Sequence, residues 1–270
     1  MKIGISYWFG YPSFPDERIS LLKEAGFDNI SLHWTNEYID VTGEKRDVLT
    51  HLCKNNIEVS SFHLSFEKSF LLWDSSENGR KYREEIKEAI NDANEFGIKR
   101  IIMHSDGNAS QDIISNQLLE IFLHAKRKGI ILCLENLQHE DNLKMIYSNR
   151  SYERVPLCYD VGHNNIRKCM AGIKSLNIEC FHIHDNDGVN DSHRLPYEGT
   201  VDWYHEIDFI KLYPNTPIIL EVHERLGSGT DARRYLKKTK ELADRILSEL
   251  EYKEYDKSEA NVCLSTCEEL

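Results

Sequence analysis

Eight short apolar stretches recur along this chain, each separated from the next by a stretch with helical spacing of its apolar residues. That alternation constrains the fold more than any other feature. A strand buried on both faces, followed by a helix that covers it, builds parallel βα units. The predicted strands are Lys2–Trp8, Asn29–Trp34, Glu58–Ser65, Arg100–Asp106, Ile130–Leu137, Leu157–His163, Cys180–Asp185 and Pro217–His223. The predicted helices are Asp16–Ala25, Glu44–Asn55, Ser75–Phe96, Ser110–Lys128, Asp141–Ser148, Asn165–Leu176, Trp203–Leu212 and Thr230–Leu250. In Ser110–Lys128 the apolar positions Ile113, Ile114, Leu118, Ile121 and Phe122 fall on one helical stripe. Gly26, Gly97 and Gly129 each follow a helix as a terminator. Eight parallel strands are enough to close a barrel, so the expected fold is α/β, a single (β/α)8 barrel over residues 1–252. A doubly wound open sheet is the alternative, but the glycine-rich dinucleotide fingerprint is missing after the first strand. Residues 253–270 form a charged tail without periodicity and are expected to be flexible.

Five of the predicted strands end in a residue able to bind a cation: His63, His104, Glu135, Asp160 and Glu221. In a parallel barrel the C-terminal ends of all strands converge on one mouth, so these residues meet there. Strand alternation supports this. Ile131, Cys133 and Glu135 share one face, as do Cys158 with Asp160, and Pro217 and Ile219 with Glu221. Each face is apolar below and acidic at the top. The densest stretch is Cys180–Trp203, with His182, His184, His193, Asp185, Asp187, Asp191 and Asp202. A single acid at a strand end is ordinarily solvated or caps a helix. Glu135, Asp160, His182 and Glu221, however, arrive on consecutive strands at equivalent heights, and three carboxylates gathered without a cation would repel one another. The expected cofactor is therefore a divalent metal. Carboxylates with one histidine suit Mn²⁺, Mg²⁺ or Co²⁺, and further histidines favour Zn²⁺. His184 shares a face with His182 and stands outside this ligand set.

The formal net charge of −12, of which −3 lies in residues 253–270, argues against nucleic acid or an anionic membrane as a general partner. No apolar run approaches the ~20 residues of a membrane span. The start, MKIGISYW, enters a strand pattern directly, without a signal-peptide core, so a cytoplasmic protein is expected. The seven cysteines agree, since their number is odd and no CxxC occurs. Cys133, Cys158 and Cys180 read as reduced core thiols.

The segments LEN on strand five, LCYDVGH on strand six, FHIHDNDGVNDSHRLPYEGTVDW from strand seven onward, and LEVH on strand eight carry a resemblance. They are similar to the xylose isomerase-like TIM barrels, which comprise sugar-phosphate isomerases and epimerases together with the endonuclease IV type of apurinic endonuclease. The resemblance covers essentially residues 1–250. It implies one divalent ion held by Glu135, Asp160, His182 and Glu221, and a sugar or sugar phosphate as substrate. It further implies isomerisation or epimerisation by proton transfer through a metal-stabilised enediolate, with Glu135 and Glu221 as the acid/base pair. His163 would polarise the carbonyl or steady the enediolate. The endonuclease branch binds three zinc ions, and every matching position here holds a competent residue: His63, His104, Glu135, Asp160, His163, His182, Asp191, His193 and Glu221. An endonuclease IV-like phosphodiesterase acting at abasic DNA is therefore the alternative activity, with a polyol or keto-acid dehydratase as a third. A homo-oligomer is compatible with the chain.

Three further stretches bear on the mouth. Tyr7, Trp8, Phe9, Trp34, Phe66 and Trp73 follow early strands and form either an apolar wall over a sugar ring or ordinary packing. Arg225–Thr230 offers a phosphate-binding loop, or else Ser228 or Thr230 caps the last helix. Glu198–Trp203 resembles the GEG-x-x-DW segment of the family but lacks one glycine.

Overall fold

The computed structural model of the chain describes residues 2–107, 109–139, 142–148, 155–168, 177–224 and 229–252. In chain order the elements are β1 (Ile3–Ser6), α1 (Pro15–Ala25), β2 (Asn29–His33), α2 (Ile39–Thr42), α3 (Lys45–Lys54) and β3 (Glu58–His63). A 3-10 turn (Ser69–Trp73) leads into α4 (Glu77–Phe96), β4 (Arg100–Met103), α5 (Gln111–Lys128), β5 (Ile131–Glu135) and α6 (Leu143–Ser148). There follow β6 (Pro156–Asp160), α7 (Val161–Arg167), β7 (Asn177–Ile183), α8 (Trp203–Lys211), β8 (Ile218–Leu220) and α9 (Ala232–Glu251). Every strand pairs in parallel with its sequence neighbours, and β1 pairs with β8, which closes the barrel. The predicted (β/α)8 barrel is the observed fold.

Two apolar regions hold it together. The larger lies between strands and helices and includes Ile5, Leu22, Phe62, Ile90, Ile121, Phe181 and Leu236. The smaller fills the barrel axis with Ile102, Cys133, Cys158, Cys180 and Ile219. Helices α1, α4 and α5 end at Gly26, Gly97 and Gly129, all at left-handed φ (86°, 74° and 68°), as their positions in the sequence predict. Cys133, Cys158 and Cys180 are buried free thiols. No described helix is long and apolar enough to cross a membrane.

Two differences from the predicted elements affect the site. The strand predicted as Leu157–His163 stops at Asp160, because the Asp160 carboxylate accepts the backbone N–H of His163 at 2.6 Å and starts α7 there. His163 is thus a first-turn helical residue, and the helix predicted over Asn165–Leu176 begins earlier, at Val161. Likewise β8 ends at Leu220, so Glu221 stands just past the strand. The short α2 and the 3-10 turn were not foreseen. Residues 225–228, which carry the predicted phosphate loop, and the tail from 253 to 270 lie outside the described residues.

Candidate functional site

The strand ends place Glu135 at the centre of the mouth, fully buried. Its Oε1 is 2.9 Å from His182 Nδ1, and its Oε2 is 3.0 Å from His63 Nε2 and 3.2 Å from His104 Nε2. His182 Nδ1 also lies 3.4 Å from Glu221 Oε2. Donor atoms of Glu135, Asp160, His182 and Glu221 all fall within 4.8 Å of one another. These are the four ligands expected from the sequence, and the barrel brings them together. The set fits a cation on chemical grounds, because Asp160 Oδ2 is buried with no hydrogen-bond donor. A carboxylate oxygen hidden from water and unpaired is costly unless a cation faces it.

Two more donor sets adjoin the first. His63, His104 and Glu135 form one, and His163, His184, Asp191 and His193 form the other, each again within 4.8 Å. His63 Nδ1–H donates to the Leu64 carbonyl (2.8 Å), which leaves Nε2 facing Glu135. His163 Nδ1–H donates to the Asn136 carbonyl (2.9 Å), which turns Nε2 toward Asp191 Oδ2 at 3.3 Å. His193 Nε2 approaches the same oxygen at 3.2 Å. Such backbone contacts set the imidazole tautomer, as they do around metal-binding histidines.

Charge within the site is strongly coupled. Burial pushes the Glu135 carboxyl up, but His182, His104 and His63 outweigh it and hold it well below the usual carboxylate range. Burial pulls His163 down, yet Asp160 and Asp191 raise it to about 10. His193 is likewise raised to about 9 by Asp191 against the effect of burial.

Above these residues lies a cavity of about 250 Å³. Of the four central residues only Glu221 lines it, together with His63, His104, His163, Asp191 and His193. Trp8 and Phe66 supply apolar wall, whereas Tyr7, Phe9, Trp34 and Trp73 are buried in the core. His33 and His223 also line the cavity and were missed in the sequence. Burial and the neighbouring His63 bring His33 down to about 4, and burial and His193 do the same to His223, so both stay neutral near pH 7. A signal was available, since His33 is the penultimate and His223 the last residue of a predicted strand.

Three other residues shape the site. Asn136, next to Glu135, accepts from the Asp160 backbone N–H and donates to its carbonyl, both at 2.8 Å, and so ties β5 to β6 beside Glu135 and Asp160. His184 is fully buried with Nε2 3.2 Å from Asp160 Oδ1 and 3.6 Å from Asp191 Oδ1. It belongs to the second donor set. Asp185 organises the long loop after β7: it accepts from the backbone N–H of Asn186 (2.8 Å) and Val201 (3.1 Å) and from Trp203 Nε1 (2.8 Å). These contacts double the loop back onto Asp185, so that residues 186 and 201–203 meet at one carboxylate. His193 takes a left-handed backbone (φ 42°), which costs ~1 kcal/mol for a non-glycine residue. Strain of this kind is common at working sites.

A family model described as xylose isomerase-like TIM barrel matches residues 19–245. The chain belongs to that family. Among curated relatives, it is 26% identical over 139 residues to a protein designated y4fM of Sinorhizobium fredii, a match covering 44% of this chain and 45% of that protein. The chain therefore matches less than half the length of that relative. Among solved structures, D-psicose 3-epimerase of Clostridium cellulolyticum H10, crystallised with D-tagatose, superposes with a TM-score of 0.72 at 15% identity, covering 93% of this chain and 100% of that one. The protein TTHB071 of Thermus thermophilus, soaked with zinc chloride, gives 0.66 at 18% identity, covering 92% and 99%. At these identities the structural likenesses speak for the fold alone.

Proposed function

We propose that this chain is a divalent-metal-dependent sugar isomerase or epimerase. The observation that carries the reading is the set Glu135, Asp160, His182 and Glu221, with an unpaired buried carboxylate oxygen, at the floor of a cavity of about 250 Å³. These four residues would hold the ion, which supplies Lewis-acid stabilisation of negative charge on substrate oxygens. Glu221 faces the cavity and would take the proton from the carbon next to the substrate carbonyl. Glu135 would return a proton from the opposite side. Return to the same carbon on its other face gives an epimer, and transfer to the neighbouring carbon gives an isomer. His163, with Nδ1–H committed to the Asn136 carbonyl, would present Nε2 to the substrate carbonyl oxygen. The structural neighbour named D-psicose 3-epimerase, crystallised with D-tagatose, makes a ketose the substrate to test first.

One observation favours a second reading. The sets His63–His104–Glu135 and His163–His184–Asp191–His193 provide donors for two further ions, the arrangement expected of a phosphodiesterase acting at abasic DNA. Elemental analysis of the purified chain separates the two. One exchangeable ion per chain, with interconversion of ketoses that Glu135→Gln abolishes, is expected. Three tightly held zinc ions with cleavage of an abasic-site duplex would overturn the isomerase reading.

A further inference from the structure

The layer beneath the ligands is built in register with them. Ile102, Cys133, Cys158, Cys180 and Ile219 pack together at the barrel axis. Each stands two residues before a site residue on the same segment: His104, Glu135, Asp160, His182 and Glu221. Alternation along β5, β6 and β7 therefore points Cys133 and Glu135, Cys158 and Asp160, and Cys180 and His182 inward, one above the other. Three members of this layer are thiols, and all three are fully buried. Cys158 and Cys180 are register partners on β6 and β7. Their sulfurs and a ring nitrogen of His182 lie within 4.8 Å of one another.

His182 has an unmet need on that side. Its Nδ1 faces the carboxylates of Glu135 and Glu221. Its Nε2 is buried and has no hydrogen-bond partner. An imidazole that offers Nδ1 to a cation carries its proton on Nε2, and such N–H groups ordinarily have an acceptor that fixes the ring. The Cys180 thiol is directed toward the Phe181 carbonyl, with sulfur 3.8 Å from that oxygen, so its proton is committed there and the sulfur can serve as an acceptor.

We propose that Cys180, backed by Cys158, is a positioning residue for His182, its sulfur accepting the Nε2–H and holding Nδ1 toward the ion. This inference rests on the cation-binding reading above. The chemistry is second-hand: the thiol touches neither ion nor substrate, and acts by fixing the tautomer and tilt of one ligand.

The test uses the full chain and Co²⁺, with affinity measured by competition against a chelator and folding checked by circular dichroism. Cys180→Ala removes the acceptor and is expected to weaken Co²⁺ binding 10- to 100-fold, the usual consequence of losing a partner behind a metal-binding histidine. Cys180→Ser restores an acceptor and is expected to recover most of the affinity. Cys180→Val, apolar and leaving no cavity, replaces the alanine variant if that does not fold. Equal affinities in the unsubstituted, apolar and serine forms would overturn the proposal. Equal losses in the apolar and serine forms would also overturn it, by assigning the effect to packing. A sulfur-to-cobalt charge-transfer band in the unsubstituted chain, lost on substitution, would make Cys180 a direct ligand and overturn it too. An unsubstituted chain that binds no Co²⁺ would refute the cation reading, and this inference with it.

Discussion

Gly162 offers a test of the site geometry in which two physical effects have opposite signs. The residue sits in the first turn of α7, between the candidate ligand Asp160 and His163. A Cβ built on it would lie 2.0 Å from His184 Cε1 and 2.4 Å from both ring nitrogens. His184 is fully buried, so its ring has no solvent to move into. Were the position open, Gly162→Ala would stabilise the helix by ~1 kcal/mol. Inserting a methyl into a filled site costs ~1–3 kcal/mol, and a contact this short against a buried ring belongs at the upper end. The net expectation is a loss of about 2 kcal/mol, which for a domain of this size lowers Tm by roughly 4–8 °C. Because the displaced ring contacts Asp160 and Asp191, metal affinity should fall with it. Thermal and denaturant unfolding of the metal-free chain measure the first effect, and chelator competition the second. A Gly162→Ala protein that melts higher than the parent, with unchanged metal affinity, would refute the placement of His184 against α7.

Two further predictions follow from charge and hydrogen bonding. In the metal-free protein His163 and His193 have folded-state pKa values of about 10 and about 9, because Asp160 and Asp191 outweigh burial. Groups raised above their unfolded value of ~6.5 contribute stability that is complete below that pH and lost as pH climbs through the folded values. The Tm of the chelator-treated chain should therefore fall between about pH 7 and 10, and excess cation should flatten the decline by displacing those protons; a Tm that rises over this range would contradict the assignment. Asp185→Asn sets an amide N–H₂ against donors that now meet carboxylate oxygens, leaving a buried donor unpaired at a cost of ~1–3 kcal/mol. Denaturant titration and limited proteolysis within residues 186–202 should both report loosening, and a stability within ~0.5 kcal/mol of the parent would show that these contacts are not needed.

The strand order, barrel closure and meeting of Glu135, Asp160, His182 and Glu221 were legible in the sequence because each depends on short-range periodicity. Alternation tells which side chains share a face, and equivalent heights on successive parallel strands bring those faces to one mouth. Boundaries were less legible where a side chain intervened. Asp160 is a strand residue by pattern, but its carboxylate captures the His163 N–H and ends the strand, a competition between ladder and cap that periodicity does not register. Asp185 is one of several acids in a loop, and nothing local marks it as the acceptor of three donors from residues 186, 201 and 203.

The sequence by itself determined the eight βα units, the glycine helix ends and which residue types stand at the strand ends. The tertiary structure alone decided that His184 faces Asp160 and Asp191, that His33 and His223 line the cavity, that Asn136 ties β5 to β6 beside Glu135 and Asp160, and that three thiols pack together at the barrel axis. The reason is one of range. A repeat of two or of 3.6 residues is set by backbone geometry within a few residues. Which imidazole nitrogen meets which carboxylate is set by closure of the barrel, where groups tens of residues apart come within hydrogen-bond distance and their charges settle together.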